Sequence, residues 1–494
     1  MFGLPRVRGV QAANVAHPAR GPLGKEPALP NGRRDVEGRV EAWRPTLDVR
    51  IRGRAVAAWL DITAKEARWI VGWTIVVLAL TLVLHPLSWW FGPADLVHYG
   101  SFWFPADFGQ YMAAMREGHR SPDWTVYNPY TSEDHAPILM YAPYVALGKV
   151  AALVGAAPLD LYYGVEIVAR SALVPSIYLF MAAFLADPRQ RRAGFILSMF
   201  SVGLGFWLGL FSTPLKALGL DVQLDQQANA YLELNTFGAF LAAPHITVGL
   251  AQTLLAAVLW VGALDRFRRW RVAAALLALD VGLLTIVHPF NAPVLTAVLC
   301  IASLAVGLKV RHLRWRAALL AVGVATSAAP LSLYYVSTFT LEPVWSWTYG
   351  RQNTMASPPI EWLAPNFGVV AFLAPVGLLL WRRRSAAASA LLVVWIVVGI
   401  AAMYLPVPYQ RRLGFGLQPA LSCLAGVALV MAFNRLKTVS IACAGRRSWR
   451  VARLLLPRLA LYPFALLAFG TTLFFYVGIV HTLATNDAIP IYQL

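Results

Sequence analysis

Charge is what this sequence lacks most. Of its 494 residues only 13% are Asp, Glu, Lys or Arg, about half the share of an ordinary soluble protein, while 58% are hydrophobic and mean hydropathy is +0.58. That balance excludes a string of soluble domains and reads as an all-α polytopic membrane protein. Acidic residues are the scarcer sign, 24 against 42 basic ones, a formal +18. Such an excess suits nucleic acid when it covers one face of a soluble fold, but here it falls in short runs between apolar stretches, so no nucleic-acid partner is expected. Cysteine is nearly absent. Cys300, Cys423 and Cys443 are too far apart to argue a disulfide framework or a thiolate metal site. The nine histidines form no HExxH pattern and no glycine-rich nucleotide loop occurs, which argues against ATP-driven transport by this chain alone. Residues 1–69 hold no apolar run, so they are not a secretory signal; the first half reads as disordered, and Arg52–Arg68 reads equally as a short interfacial helix or a soluble linker.

What is present is a series of apolar stretches. Eleven spans are expected, at about 70–91, 162–184, 192–213, 238–263, 271–287, 291–308, 317–336, 364–381, 386–405, 415–433 and 460–482. Their connections are sharply biased. The tail together with 187–192, 265–271, 309–316, 381–384 and 434–458 carries 34 of the 42 Lys and Arg residues, which sets these segments and the N-terminus in the cytoplasm. The expected organisation is a cytoplasmic basic tail over 1–69, a transmembrane core over 70–435, and a last part, 436–494, with a basic cytoplasmic connection, one span and an outer tail. Outer loops fall at 92–161, 213–236 and 337–363, and the C-terminus is extracytoplasmic. Residues 138–158 are apolar enough to span, but a span there would export three basic connections, so the segment is expected to lie in the outer interface.

The polar residues of the outer side are the candidate chemistry. Asp107, in PADFGQYM, is either a helix N-cap or, at the mouth of a cavity, a general base or metal ligand. Tyr111 follows it by one helical turn. Glu133, Asp134 and His135 form a run that supplies one or two metal ligands but needs others, such as Asp107, to complete a site. In the second loop Asp221 and Asp225 read as solvated, whereas Glu233, Asn235 and His245 border apolar surroundings where unpaired polar groups are costly. His288 and Asn291 lie in TIVHPFNAP, a break between two spans that is partly architectural and partly a place for an imidazole at outer-leaflet depth. Asp280, within a span, must face the bundle and have a partner.

The third loop sets Trp345, Trp347 and Trp362 beside Arg351. Anchoring in the aromatic belt is the favoured reading of the tryptophans, and a roof over a carbohydrate cavity is the competing one. Arg411 and Arg412 are an adjacent basic pair on the outer side, against the charge bias, and guanidinium forks suit a phosphate at headgroup depth; pairing with anionic membrane lipids is the alternative.

The layout resembles the GT-C superfamily of integral membrane glycosyltransferases: a cytoplasmic N-terminus, a first span, a long outer loop with an early carboxylate, then many spans. PADFGQY with Asp107 matches the position of the family's catalytic carboxylate, and AP-ILMYAPYVALGKV, with Arg170 in the next span, is similar to the segment that follows it. Many members carry two adjacent acidic residues at that position, where this chain has Ala106-Asp107-Phe108, so either Glu133 or Asp134 supplies a second carboxylate or the chain is a divergent or non-catalytic member; if Asp107 is only a cap, the base is to be sought at Glu133, Asp134 or Glu233. The resemblance implies a polyprenyl-phosphate-linked sugar donor, a lipid, glycan or protein acceptor, and inverting transfer at the outer face of the cell membrane. In it Asp107 serves as base and Arg411 and Arg412 hold the donor phosphate, with or without a divalent cation such as Mg or Mn held by Asp107, Glu133 and His135. Tyr111, His245, His288, Asn291 and Arg351 are the expected substrate contacts. The competing classes are a non-catalytic membrane assembly subunit and a transporter or flippase of a lipid-linked substrate.

Overall fold

The computed structural model describes residues 60–92, 97–98, 105–219, 231, 234–265, 269–352, 354–382, 385–443, 450–485 and 492–493. The chain is an all-α, multi-pass membrane protein. Its helices run in the order α1 Ala64–Leu82, α2 Leu84–Phe91, α3 Pro105–Arg120, α4 Ala142–Val154, α5 Pro158–Phe184, α6 Pro188–Phe200, α7 Gly205–Ala217, α8 Thr236–Leu241, α9 Pro244–Asp265, α10 Trp270–Val287, α11 Asn291–Lys309 and α12 Arg314–Leu341. They continue with α13 Pro343–Trp347, α14 Ile360–Phe367, α15 Val369–Leu380, α16 Ala386–Ala402, α17 Leu417–Cys443 and α18 Arg450–Thr485. Among the described residues eight helices are long and apolar enough to cross a membrane, and ten if two bent pairs each count as one span. The expected eleven are reached only by adding α16, whose 17 residues reach about 25 Å at 1.5 Å each.

α4 is the apolar segment whose placement was least obvious from hydropathy. It has 13 residues, about 20 Å of helix, too short to cross. It lies instead along α3, and two glycines fix how closely. A Cβ on Gly118 would fall 2.1 Å from the carbonyl oxygen of Val145, and one on Gly148 would fall 1.9 Å from that of Met115. The two backbones therefore touch at a distance only glycine permits.

The bent pairs are α6 with α7, at 55°, and α14 with α15, at 90°. Each break exposes backbone groups that lipid cannot satisfy, and the two breaks meet. The Leu204 N–H donates to the Pro365 carbonyl at 2.9 Å. Gly368 turns the second break with φ +63, and a Cβ there would lie 2.3 Å from the Val202 oxygen. α17 packs between these pairs, with Gly426 against Gly194 and Leu424 against Gly377. On α16 the small residues Ala387, Ala388 and Gly399 are buried within the chain, so this face is spent on the chain's own packing.

Charges inside the bundle are paired. Glu66 of α1 accepts from Arg191 at 3.1 Å and from the Tyr178 hydroxyl at 2.6 Å, and the capping box with Thr63 fixes its backbone. Glu166 bridges Arg170, one turn on, at 3.0 Å and His85 at 3.2 Å. Asp280 finds Gln252 as its hydrogen-bond partner. Two short strands, β1 Val97–His98 and β2 Tyr492–Gln493, pair antiparallel, which sets the C-terminal tail on the side of the first long loop.

Candidate functional site

A cavity of about 420 Å³ opens between the α3–α4 pair and the bundle. Asp107 and Tyr111 enter it from α3, Tyr141 and Tyr144 from the start of α4, His245 from α9, His288 from the α10–α11 break, Tyr349 from the third loop and Arg412 from the turn before α17. Segments spread over three hundred positions of sequence thus converge on one volume, of a size suited to a small ligand.

Asp107 is the third residue of α3, inside its first turn and not its cap, so the N-cap reading of the sequence does not hold. The helix N-terminus favours a negative charge there. Burial nonetheless raises the carboxyl above its ordinary value, and the Arg412 guanidinium pulls back in the other direction. Among the described residues it is the only acidic side chain lining the cavity. Arg412 is held in place on two sides: its Nε donates to Met355 Sδ at 3.2 Å, and its guanidinium lies over the Phe290 ring at 4.7 Å.

The two histidines share the back wall, with ring centroids 6.3 Å apart. His245 Nδ1 and the Tyr144 hydroxyl are hydrogen-bonded at 2.7 Å. His288 stacks on Phe415 at 4.5 Å, and burial, with Arg412 adding to it, lowers its imidazole to about 3. It is therefore neutral. Its Nδ1 is buried and has no hydrogen-bond partner among the described residues, a polar atom in want of a ligand.

Phenols line the cavity beside these histidines, Tyr111 meeting the His245 ring edge-on at 5.2 Å. Tyr111 stacks on Tyr144 at 4.5 Å. The Tyr141 hydroxyl is hydrogen-bonded to Gln110 Oε1 and lies 3.0 Å from the Tyr349 hydroxyl. Burial lifts the Tyr111 and Tyr141 phenols well above their ordinary value and Tyr349 to about 12, so all three stay protonated and serve as neutral hydrogen-bonding groups. Tyr141 reaches this position with φ 55, a left-handed backbone that a bulky residue adopts only when its surroundings impose it.

The other expected site residues fall elsewhere. Arg411 does not line the cavity; its guanidinium covers the Tyr231 ring at 4.4 Å, so the adjacent arginines part company on the 3-10 turn Gln410–Gly414. Asn291 is buried away from the cavity and donates to Thr253 Oγ1 at 2.6 Å, an architectural bond. Arg351 is exposed outside it, and Glu233 lies outside the described residues. Asn235 caps α8 by accepting from the Gly238 N–H at 3.2 Å.

The expected metal set of Asp107, Glu133 and His135 does not form. Glu133 and Asp134 are exposed on a turn, and His135 spends both ring nitrogens, Nε2 accepting from the Asn128 N–H at 2.8 Å and Nδ1 donating to the Glu133 carbonyl at 2.7 Å. Among the described residues no three His, Cys, Asp or Glu side chains converge as a protein-held ion requires. Trp345 also departs from the belt reading: it is 2% exposed, lines the cavity, and donates Nε1–H to the Ala136 carbonyl at 3.2 Å, whereas Trp347 is exposed.

Gln110, Tyr141, Tyr144 and Tyr349 were not singled out by the sequence reading. The signal available was the Tyr-Ala-Pro-Tyr run, since Pro143 favours a helix start and so puts Tyr141 at its entrance.

No protein-family model and no curated protein matches the chain. Solved membrane structures do. The chain is similar to the Archaeoglobus fulgidus oligosaccharyltransferase in complex with Zn and sulfate, at a TM-score of 0.44 and 15% identity over 84% of this chain and 53% of that one. It therefore spans about half the length of that protein. ArnT from Cupriavidus metallidurans is similar both bound to undecaprenyl phosphate, at a TM-score of 0.42 and 16% identity over 84% of this chain and 78% of that one, and in the apo state, at 0.43 and 17% over 84% and 77%.

Proposed function

We propose that the cavity transfers a sugar from a polyprenyl-phosphate donor to a hydroxyl acceptor at the outer face of the membrane. One observation carries this reading. Among the described residues one partly buried carboxylate and one guanidinium face the same volume, and the rest of the lining is neutral: hydrogen-bonding groups, aromatic rings and aliphatic side chains such as Ile246, Ile286 and Met355. That is a sparse charge set, suited to one phosphate and one proton transfer.

In the proposed reaction Asp107 takes the proton of the acceptor hydroxyl as its oxygen attacks the anomeric carbon. The bond from that carbon to the phosphate oxygen breaks, and polyprenyl phosphate leaves with the bonding pair. Inversion follows because attack and departure lie on opposite faces. A carboxyl raised by burial is a stronger base than an exposed one, and Arg412 favours its ionised form. Arg412 meets the charge that grows on the leaving phosphate, in a site where fixed groups act with little water between them. Neutral His288 offers its unpartnered nitrogen to phosphate or sugar, and the phenols of Tyr111, Tyr141 and Tyr349 address sugar hydroxyls. The donor set does not fit a protein-held divalent ion, so no step is routed through one.

The experiment is transfer by purified protein from a panel of labelled polyprenyl-phosphate sugars to extracted lipid and glycan acceptors, with donor binding measured alongside. Transfer that Asp107→Asn abolishes while donor binding persists is the expected result. Absence of both transfer and donor binding across the panel would favour the assembly-subunit reading.

A further inference from the structure

Between α3 and α4 the chain forms a loop that the reaction above does not use. Val126 and Ile138 close it as an antiparallel bridge, with reciprocal N–H to carbonyl bonds of 2.9 and 3.0 Å. His135 ties its interior through the two bonds already described. Asn128 then joins it to the cavity wall, its Oδ1 accepting from the Tyr130 N–H at 3.1 Å and its Nδ2 donating to Thr348 Oγ1 at 3.1 Å. The Glu-Asp-His run that looked like a metal motif is thus the clamp of a built loop.

The loop holds two aromatic rings out to solvent. Tyr127 is 61% exposed and Tyr130 60% exposed. Tyr127 packs edge-on against His135 at 5.4 Å, and His135 does the same against Trp345 at 6.0 Å, so its orientation is inherited from the cavity wall. Tyr130 belongs to both worlds, since it also lines the cavity. Its hydroxyl lies 3.7 Å from where a Cβ on Gly109 would be, two residues beyond Asp107.

Exposed rings on an outer loop could face lipid headgroups, and the charge of the loop decides against it. Residues 125–138 include no Lys or Arg, while Glu133 and Asp134 are exposed carboxylates. An anionic headgroup is repelled by that pair, and so is an acidic glycan. The apolar face of an uncharged sugar ring is not, and a rigid ring at the mouth of a cavity buries it at little entropic cost. We propose that the Val126–Ile138 loop is an acceptor rim, and that it takes a neutral saccharide of at least two units. One unit enters the cavity toward Asp107 and the next stacks on Tyr130 and Tyr127. This rests on the glycosyl-transfer reading of the cavity.

The test uses the full chain in nanodiscs of zwitterionic lipid. Saturation-transfer NMR measures binding of a panel of neutral tetrasaccharides and of their uronate-containing counterparts, and polyprenyl phosphate binding is measured separately. Neutral saccharides are expected to bind; Tyr127→Ala should weaken them by about tenfold, and Tyr127→Phe, which keeps the ring, should restore them. Polyprenyl phosphate affinity and the thermal midpoint should be unchanged in both variants. Glu133→Gln with Asp134→Asn should admit the uronate series. Polyprenyl phosphate binding without any saccharide binding would overturn the rim and leave the transfer reading standing. So would Tyr127→Ala lowering affinity for phosphatidylglycerol vesicles in place of saccharides. Saccharide binding that depends on Tyr127, without polyprenyl phosphate binding, would leave the loop a saccharide-binding rim but overturn its role as an acceptor rim together with the transfer reading.

Discussion

Burial and Arg412 pull the Asp107 carboxyl in opposite directions, and the consequences can be read in pH. The carboxyl sits above its ordinary value in the folded chain, so the folded state keeps the proton to higher pH than the unfolded one. Its ionisation therefore works against folding as pH rises through that raised value. Asp107→Asn is accordingly expected to keep or slightly raise the thermal midpoint at neutral pH, while turnover falls by about 10²–10⁴ if the carboxylate is the base. Wild-type thermal stability retained with wild-type transfer would move the base elsewhere. Because only the ionised form accepts a proton, kcat/KM should fall as pH drops through the raised value. Arg412→Gln removes the group that pulls the value down, so this acid limb should move to higher pH, and donor affinity should drop. Arg411→Gln should do neither, its guanidinium being spent on Tyr231. A pH–rate profile of the two variants separates the arginines that sequence alone made a pair.

At the scale of elements, the site depends on α3 and α4, neither of which is both long and apolar enough to cross a membrane. α3 supplies Asp107 and Tyr111, α4 supplies Tyr144 and opens on Tyr141, and Gly118 and Gly148 set their spacing. Replacing a helical glycine by alanine ordinarily gains about 1 kcal/mol. Here the new methyl would stand 2.1 Å from the Val145 oxygen, so Gly118→Ala must push the helices apart, and overpacking of this kind costs about 1–3 kcal/mol. A lower thermal midpoint together with a lower transfer rate is expected, measured against Gly72→Ala, which meets nothing within 4 Å. Equal behaviour of the two variants would show that α3 and α4 are not locked as described. The interlock also carries Asp107 and the phenols of α3 and α4 as one piece, so a movement of α3 away from the bundle displaces Asp107 and Tyr144 together.

At the scale of the molecule, hydropathy and charge bias were enough to expect the apolar helices and to keep residues 138–158 from being counted as a span, because a short helix and an exported cationic loop conflict through simple energetics. The same bias predicts topology. In a background without native cysteines, Ser132→Cys and Ala356→Cys should react with an impermeant thiol reagent on intact cells and His312→Cys should not; labelling at 312 would reverse the assignment. Much of the site was less legible. Asp107, Tyr111, His245, His288 and Arg412 could be named as costly polar residues, but which of them converge is decided by helix rotation, which no local pattern encodes. Glu133, Asp134 and His135 misled for the converse reason: they are metal-binding residue types in a row, but the two carboxylates are exposed and the imidazole spends both nitrogens on backbone groups of its own loop. The two broken spans carry a last consequence, one of biosynthesis. The amide of Leu204 finds its acceptor in Pro365, about 160 residues later in the chain. While ribosomes are still making the middle of the protein, the first break has no native partner, so its amide must be held by water, lipid headgroup or insertion machinery until the second break arrives to relieve it.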